Sequence, residues 1–334
     1  MRALRYFRTG PAREVLQIVE EPDPLPGPGE VRVAVRASGV NPHDTKKRAG
    51  WLGALPAEGG VTPHSDGAGI VDAVGPGVPE TRLGQRVFVL RAPVYRGTAA
   101  EKVVVGADWA LPLPTGIGFA EGASLGVPAF TAWLAVLSDG PVTGRTVLIH
   151  GGGGAVGRVC VELAAWNGAR VIATAGSPAG RAVAAARGAD VVLDRHADDI
   201  VAAVLQATGG AGAERIVDVD FAANQTADIA ALADNGTVAA YSSTSDKTPM
   251  LDYYGFALKG ARLRFIQGGK LTPDDRDAAA RVITALLDRG RLRPDVAHAL
   301  PFSRAAEAHE AVEAGAAANV VVVPDEDAQQ DRGA

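Results

Sequence analysis

The sequence predicts an α/β protein in which a β-rich region precedes a doubly wound, mostly parallel sheet. Three observations support this. Short alternating segments, punctuated by glycine and proline, fill the chain to about residue 120. Apolar runs then alternate with alanine-rich stretches from Gly144 onward, and four consecutive glycines follow the first of these runs directly.

Composition narrows the range of partners. The 334 residues are 47% hydrophobic and 21% charged, with a formal net charge of -5, which is typical of a globular protein acting on a small organic molecule. Basic residues are dispersed, so we expect neither a nucleic-acid surface nor a membrane surface. Neither the first ten residues nor any later apolar run predicts a signal peptide or a membrane span, and we expect a cytoplasmic location.

Cysteine usage is also informative. Cys160 is the only cysteine, so the chain has no intramolecular disulfide and no paired thiolates of the kind that structural zinc uses. We expect Cys160 to be a buried residue on a helix.

The first strands are indicated by alternation. In Glu30–Ala37 valines at every second position are separated mainly by arginines, which is the period of a half-buried strand. Gly67–Gly75 and Gly84–Leu90 repeat the pattern, with glycine and proline in most gaps.

The second half predicts βαβ units and a parallel sheet. Its six expected strands are Thr146–His150, Arg170–Thr174, Val191–Asp194, Arg215–Val219, Gly236–Tyr241 and Leu263–Ile266. Thr272 is expected to cap a helix that ends at Gly290, and Ser303 a helix that runs to about Ala314. A final strand of valines follows, and we expect the acidic tail 325–334 to be disordered.

The glycine run predicts a phosphate-binding loop. It contains both Gly152-x-Gly154-x-x-Gly157 and Gly151-x-x-Gly154-x-x-Gly157, between the strand and a helix that begins near Ala155. Such a loop needs a tight turn, close approach of the backbone to a pyrophosphate, and close helix–strand packing. A plain connection is the alternative. In this context we expect a dinucleotide to bind at residues Gly151, Gly152, Gly153, Gly154, Ala155, Val156 and Gly157.

The second strand of this region favours NADPH over NADH. It ends in "IATAGSPAGR", without the acidic residue that usually bonds the ribose of NAD. Ser177, Arg181 and Arg195 follow the second and third strands, and they are suited to a ribose 2'-phosphate. The alternative is that both arginines are solvated surface charges.

Several further segments, in order along almost the whole chain, carry a family resemblance. They are "ASGVNPHDTKKRAG" (37–50), "HSDGAGIVDAVGPGV" (64–78), "GVPAFTAWLAV" (126–136), "HGGGGAVG" (150–157), "NGTVAAYSS" (235–243) and "AAEAHEAVEAG" (305–315). Together they resemble the zinc-independent quinone oxidoreductases, including zeta-crystallin, of the medium-chain dehydrogenase/reductase superfamily.

The resemblance implies a GroES-like catalytic domain at 1–122 and 268–334, a Rossmann domain at 123–267 that binds NADPH, and an active site in the cleft. It also implies a homodimer or homotetramer. Asn41 and Asp44 should line the cleft near the nicotinamide, and Thr131 should hydrogen-bond the cofactor where the inter-domain helix begins. We expect Tyr241, Ser242, Phe265 and Ile266, at the last two strand ends, among the cofactor-binding residues. For Asp44 the alternative is a local capping role.

The resemblance also has departures. Zinc-dependent relatives would place a cysteine where Asn41 stands, and they carry a cysteine-rich lobe that is absent here, so we expect no metal. The family commonly has a tyrosine two positions after the aspartate, where this chain has Lys46 and Lys47. Ala318 and Asn319 replace a common Gly-Lys pair. Lys46 could steer an acidic substrate or be solvated.

The implied activity is hydride transfer from NADPH to a quinone or a related electron-poor carbonyl compound, with the cofactor supplying the hard chemistry. Asn41, Lys46 and Tyr95 are candidate donors to the developing oxyanion; Tyr95 could equally be packing. Two alternatives remain. One is a reductase of enone or alkenal double bonds, such as an enzyme of secondary metabolism, and the other is a non-catalytic NADPH-binding structural or regulatory protein.

Overall fold

The computed structural model describes residues 1–51, 53 and 59–325. The chain forms two compact units, one comprising residues 1–127 with 284–334 and the other residues 128–283. The predicted tail falls largely outside the described residues. No helix in the described part of the chain is long and apolar enough to cross a membrane.

The described residues form fifteen strands. In chain order they are β1 Arg2–Arg5, β2 Gln17–Glu20, β3 Glu30–Val40, β4 Asp66–Val74, β5 Arg86–Val89, β6 Lys102–Gly106, β7 Ala110–Pro112, β8 Thr146–Ile149, β9 Arg170–Ala175, β10 Val191–Asp194, β11 Ala213–Asp218, β12 Leu232–Ala240, β13 Arg262–Phe265, β14 Val296–Pro301 and β15 Asn319–Val323.

Eleven α-helices lie in the same residues. They are α1 Ala12–Val15, α2 Pro42–Arg48, α3 Phe119–Gly122, α4 Gly126–Val136, α5 Ala155–Trp166, α6 Pro178–Ala186, α7 Ile200–Ala207, α8 Phe221–Ala231, α9 Tyr253–Leu258, α10 Pro273–Asp288 and α11 Ala305–Glu313. Single 3₁₀ turns occupy Glu80–Arg82, Ala107–Trp109 and Phe302–Arg304.

The first unit is built on a seven-stranded sheet with the order β14-β15-β3-β4-β5-β7, to which β6 adds by pairing with β3. The predicted alternation in β3 is confirmed: Val31, Val33 and Val35 are buried, whereas Arg36 is exposed. The three valines join valines of neighbouring strands in one core cluster. This β-rich sheet carries helix α2 on the segment that follows β3.

The second unit is built on a six-stranded sheet with the order β10-β9-β8-β11-β12-β13, and all of its pairs are parallel. The chain runs outward from β8 to β10 and then returns to β11 beside β8, so the winding reverses between those two strands. Ligands of doubly wound sheets bind at this switch point, beyond the carboxyl ends of the strands. All six predicted strands are present.

Three local predictions can be compared with the structure, and one of them is wrong. Thr272 caps α10 as expected, because its Oγ1 accepts the Asp275 N–H at 3.1 Å. The prediction that Ser303 caps α11 is wrong: Ser303 lies inside a 3₁₀ turn, its N–H donates to Asp325 at 2.9 Å, and the capping position falls on Arg304. Cys160 is fully buried on α5, as predicted.

Candidate active site

The glycine loop connects β8 to α5 at the switch point of the second unit. Gly151 has φ of 71°, in the left-handed region that favours glycine. A Cβ on Gly152 would lie 2.8 Å from the Cβ of Ala173 on β9. A Cβ on Gly157 would overlap the Gly151 carbonyl oxygen and lie 2.7 Å from its carbonyl carbon. These three glycines are therefore required by the turn and by the packing of α5 against its strand.

Gly153 and Gly154 face different surroundings. A Cβ on Gly153 would lie 2.6 Å from Gly180 Cα on α6, so Gly153 permits close approach of two helix ends. Gly154 is exposed, and a Cβ there would meet only the Gly151 oxygen, at 3.3 Å. The fold does not need a glycine at 154, whereas a ligand approaching the first-turn amides of α5 does. The loop fits the diphosphate of a dinucleotide.

Next to the loop lies the group of residues predicted to contact the adenosine ribose. Ser177 caps α6, accepting the Gly180 N–H at 3.1 Å. Arg181 Nη1 lies 2.5 Å from Asp194 Oδ2, at the end of β10. The N–H of His196, followed by the charge of Arg181, holds the pKa of Asp194 below its usual range. The exposed Arg195 donates from Nε to His196 Nε2 at 3.1 Å.

Arg181 is thus already paired with a carboxylate, which sequence reasoning missed. The prediction considered only an acidic residue at the end of the second strand of this sheet, β9. Asp194 stands at the end of the third strand, β10, where it pairs with Ala175 at the end of β9. Arg195 is the more exposed of the two residues, and it is not paired with Asp194. Of the two arginines, Arg195 is therefore the better candidate for a 2'-phosphate.

The other predicted cofactor residues lie at strand ends or on α4. Tyr241 and Ser242 follow β12, and the Tyr241 N–H donates to the Asp218 carbonyl at 3.0 Å. Phe265 ends β13 with an exposed ring, and Ile266 follows it, donating to Ala240 at 2.7 Å. Thr131 is buried in the middle of α4 and not where that helix begins, which corrects its expected position.

In the first unit, Asn41 and Asp44 are joined at the start of α2. Asn41 is the N-cap and Asp44 the third helical residue of a capping box, in which the Asn41 N–H donates to Asp44 Oδ2 at 2.9 Å. The side-chain amide of Asn41 donates to Asp66 Oδ2 at 2.8 Å. Asn41 therefore bridges two buried carboxyl groups, and the capping alternative for Asp44 is realised in the structure.

Burial dominates the electrostatics of this pair. It raises the pKa of Asp44 to about 7, although hydrogen bonds from the N–H groups of Asn41 and His64 oppose the shift. It raises the pKa of Asp66 to about 8, against hydrogen bonds from Asn41 and the Val127 N–H. The pair consequently retains at least one proton near neutral pH.

The lysines on α2 each contact an aromatic ring. Lys46 Nζ lies 4.7 Å from the centroid of Trp51, and Lys47 Nζ lies 4.7 Å from the centroid of Tyr95. Lys47 also donates to the Val94 carbonyl. Tyr95 is therefore held by Lys47 and not by Lys46, the lysine that sequence analysis placed in the site.

A buried hydrogen-bond chain runs behind α2. Thr98 donates to the carbonyl of Asp66, so Thr98 accepts from Ser38 at 2.8 Å, and Ser38 accepts from His64 Nδ1 at 2.7 Å. His64 Nε2 then accepts a hydrogen bond from the N–H of His309 Nε2, 2.9 Å away. Burial lowers the pKa of His64 to about 3 and that of His309 well below its usual value, so both rings are neutral.

The His, Asp and Cys side chains that could act as metal ligands do not fit a catalytic zinc ion. Both nitrogens of His64 are used inside the chain of hydrogen bonds, and Asp66 is bound by an amide and a backbone N–H. The single thiol is in the other unit, fully buried on α5, where burial raises its pKa. Among the described residues no cluster of three His, Cys, Asp or Glu side chains could hold a metal ion.

Comparisons with known proteins identify a known domain type in each of the two units. Residues 27–115 match the alcohol dehydrogenase GroES-like domain, and residues 155–285 match the zinc-binding dehydrogenase domain. A quinone oxidoreductase of Sus scrofa is 31% identical over 313 residues, covering 93% of each chain.

Solved structures show the same fold over nearly the whole chain. A mycobacterial protein complexed with NADPH is 29% identical with a TM-score of 0.85, covering 97% of this chain and 100% of its own. An NAD-dependent alcohol dehydrogenase is 30% identical with a TM-score of 0.86, covering 97% and 99%.

Fold and glycine loop together define a nicotinamide-dependent oxidoreductase with a GroES-like and a Rossmann domain, which confirms the predicted fold class. The chain belongs to the quinone oxidoreductase family of the medium-chain dehydrogenase/reductase superfamily and is an enzyme of that type. The family membership therefore favours an enzyme over a non-catalytic cofactor-binding protein.

Proposed function

We propose that this enzyme is an NADPH-dependent, zinc-independent reductase of quinones or related electron-poor carbonyl compounds. The observation that carries the proposal is the exposed Gly154 at the amino end of α5. In the same sheet, β9 ends without an acidic residue, and the exposed Arg195 lies against Gly176, the residue that follows β9. NADPH, when bound, supplies the hydride. The names of the relatives support the quinone as the acceptor class.

The preference for NADPH rests on charge. A ribose 2'-phosphate carries negative charge that a guanidinium binds in a bidentate manner, whereas a free ribose 2'-hydroxyl requires an acceptor such as a carboxylate. Asp194, the nearby carboxylate at the end of β10, is paired with Arg181. Arg195 is then the residue that distinguishes the two cofactors.

The first unit is proposed to handle the proton. Reduction of a carbonyl oxygen by hydride leaves a negative oxygen that needs hydrogen-bond donors and then a proton. Asp44 has a pKa of about 7, so it can hold a proton at neutral pH and release it. Asn41 donates to both carboxyl groups, from its backbone N–H to Asp44 and from its side-chain amide to Asp66, and so holds the two acids close together. We propose that Asn41, Lys46 and Tyr95 position the substrate.

Initial rates of NADPH oxidation test the function directly. Benzoquinones, naphthoquinones, alkenals and cyclic enones of matched size are compared, with a strong chelator in every assay. We expect turnover with quinones at an unchanged rate in chelator. Turnover confined to alkenals and enones would transfer the proposal to double-bond reduction. Activity that chelator abolishes and zinc restores would refute the zinc-independent mechanism.

We also propose that the enzyme assembles as a homodimer or homotetramer. β13 is an edge strand of the six-stranded sheet, and large apolar side chains are exposed on and near it, namely Met250, Tyr253, Tyr254, Leu258 and Phe265. An edge strand has unpaired backbone N–H and C=O groups, and together with exposed apolar side chains it favours association with another chain. Light scattering after gel filtration should show a dimer or larger species, and Leu258→Glu should shift it toward monomer. A monomeric wild-type protein would exclude this assembly.

A cytoplasmic location remains a prediction from the sequence.

A further inference from the structure

The carboxyl group of Asp66 is held in one place at the start of β4. Asp66 pairs with Gly39 on β3, so Asn41, just beyond the end of β3, lies beside it. Both carboxyl oxygens accept the N–H of Val127, Oδ1 at 2.9 Å and Oδ2 at 2.8 Å. A Cβ on Gly126 would lie 2.2 Å from Oδ1, so the carboxyl group packs tightly against the first turn of α4. The buried side chain therefore has little freedom to move.

This carboxyl group determines which way the side-chain amide of Asn41 is turned. The two ends of an amide have nearly the same shape, so a neighbouring donor or acceptor selects its orientation. Asn41 Nδ2 donates to Asp66 Oδ2 at 2.8 Å, and Oδ2 also accepts the Val127 N–H. A proton on the neutral acid would then lie on Oδ1, because Oδ2 already accepts two N–H groups. The Asn41 nitrogen therefore points to Asp66 in either protonation state.

The amide of Asn41 has a second N–H to offer. Its nitrogen carries two hydrogens, and the bond to Asp66 uses one of them. Among the residues that the structure describes, no second acceptor bonds this nitrogen. Hydride transfer to a carbonyl compound leaves a negative oxygen, which an N–H donor stabilises and a carbonyl oxygen would repel. The orientation of the amide therefore matters for the reaction.

We infer that Asp66 is a positioning residue for the reaction, which turns the Asn41 amide so that its second N–H, and not its carbonyl oxygen, is presented to the acceptor oxygen. This inference rests on the proposed reduction of a carbonyl acceptor and on the role proposed for Asn41. Asp66 touches neither acceptor nor cofactor and acts through Asn41 alone. Removing Asp66 should therefore have no effect on catalysis once the Asn41 amide is gone.

A double-mutant cycle tests this coupling. The kcat and KM of NADPH-dependent quinone reduction are measured for wild type, Asp66→Ala, Asn41→Ala and the double variant, with urea unfolding of each. We expect Asp66→Ala to lower kcat at least tenfold with KM within threefold, as for the loss of an oxyanion donor. In the Asn41→Ala background the same substitution should change kcat less than twofold. Asp66→Asn, whose amide oxygen can replace Oδ2, should recover most of the loss.

A variant with the two side chains exchanged separates the chemistry from the fold. In Asn41→Asp/Asp66→Asn the hydrogen bond between the two positions is kept with donor and acceptor reversed, and aspartate is as good a helix N-cap as asparagine. The amide oxygen of the new asparagine can still accept the Val127 N–H. We expect this variant to unfold at a urea concentration close to that of wild type. Its kcat should be at least tenfold lower, because position 41 then offers no side-chain N–H.

The outcomes separate the inference from the function on which it rests. If wild type reduces no acceptor with NADPH, the proposed function fails and the inference fails with it. If wild type is active and Asp66→Ala lowers kcat by the same factor with and without the Asn41 amide, Asp66 serves the fold alone and the inference is overturned. Wild-type kcat in the exchanged variant also overturns it, and that variant decides if Asp66→Ala does not fold.

Discussion

Exchanging single glycines of the loop for alanine should separate the needs of the fold from those of the cofactor. At Gly154 the backbone has φ of -79° and ψ of 171°, which alanine adopts without strain, and the added Cβ would lie 3.3 Å from a single oxygen. The main cost is that alanine is a poorer helix N-cap than glycine, so we expect Gly154→Ala to lose about 0.5–1 kcal/mol of stability.

The effect on cofactor binding should be much larger. A methyl group at the exposed Gly154 occupies the space through which a diphosphate reaches the first amides of α5. Loss of one or two charge-assisted hydrogen bonds at about 1.5–3 kcal/mol each corresponds to a tenfold or greater rise in the Kd for NADPH. Urea unfolding measures the first quantity, and fluorescence titration of NADPH the second.

Gly157→Ala is the matched control. Its Cβ would overlap main-chain atoms of Gly151, so helix and loop must move apart, and we expect loss of several kcal/mol of stability or failure to fold. If Gly154→Ala is folded and binds NADPH within threefold of wild type, the loop does not hold the diphosphate at Gly154. If it is as unstable as Gly157→Ala, the distinction between the two glycines is wrong.

Two further outcomes are expected from side-chain replacements. Arg195→Ala should raise the Kd for NADPH by tenfold or more and change that for NADH less than twofold, since only NADPH has the 2'-phosphate; equal losses would remove Arg195 from that role. Asp44→Asn should keep the capping box and lower kcat by about 10²-fold or more while KM changes little, as expected for a lost proton donor; a change confined to KM would contradict this.

The glycine loop was predictable because its information is local. A strand, a tight turn and a helix follow one another between Thr146 and Trp166. Gly152, Gly153 and Gly157 are each required by a close contact in that segment or with the neighbouring β9 and α6. The capping box was readable in the same way, since Asn41, Pro42 and Asp44 stand at N-cap, N1 and N3.

The remaining features depend on distant partners. Asp66 becomes part of the site only because β4 brings it beside Asn41, 25 residues away. Asp194 pairs with Arg181 because the end of β10 lies close to the first turn of α6. The acidic group near this site therefore comes from a strand that the NAD-binding rule does not consider.

The buried groups of the first unit also determine how its stability varies with pH. Neutral, buried His64 has a pKa of about 3 against about 6.5 when unfolded, so its contribution is present above pH 6.5 and is lost as pH falls. Between pH 7 and pH 5 that loss is about 2 kcal/mol. His309 acts in the same direction.

Asp66 opposes this trend. Its pKa of about 8 in the folded protein lies above the unfolded value, so its contribution is full at low pH and is lost as pH rises toward 8. From pH 7 to pH 5 it adds about 2 kcal/mol, and Asp44 acts in the same direction. Because the two sets of groups have opposite slopes, the first unit should show little net change in stability over this range.

Single substitutions should therefore expose slopes of opposite sign. His64→Asn, chosen because asparagine tolerates the φ of 75° at this position, should make stability rise by about 2 kcal/mol relative to wild type on going from pH 7 to pH 5. Asp66→Asn should make it fall by a similar amount over the same interval. Urea unfolding at pH 5, 6 and 7 measures both differences. Parallel pH profiles for the two variants would show that these groups titrate normally in the folded enzyme, and the proton-holding role proposed for the Asp44–Asp66 pair would then lose its basis.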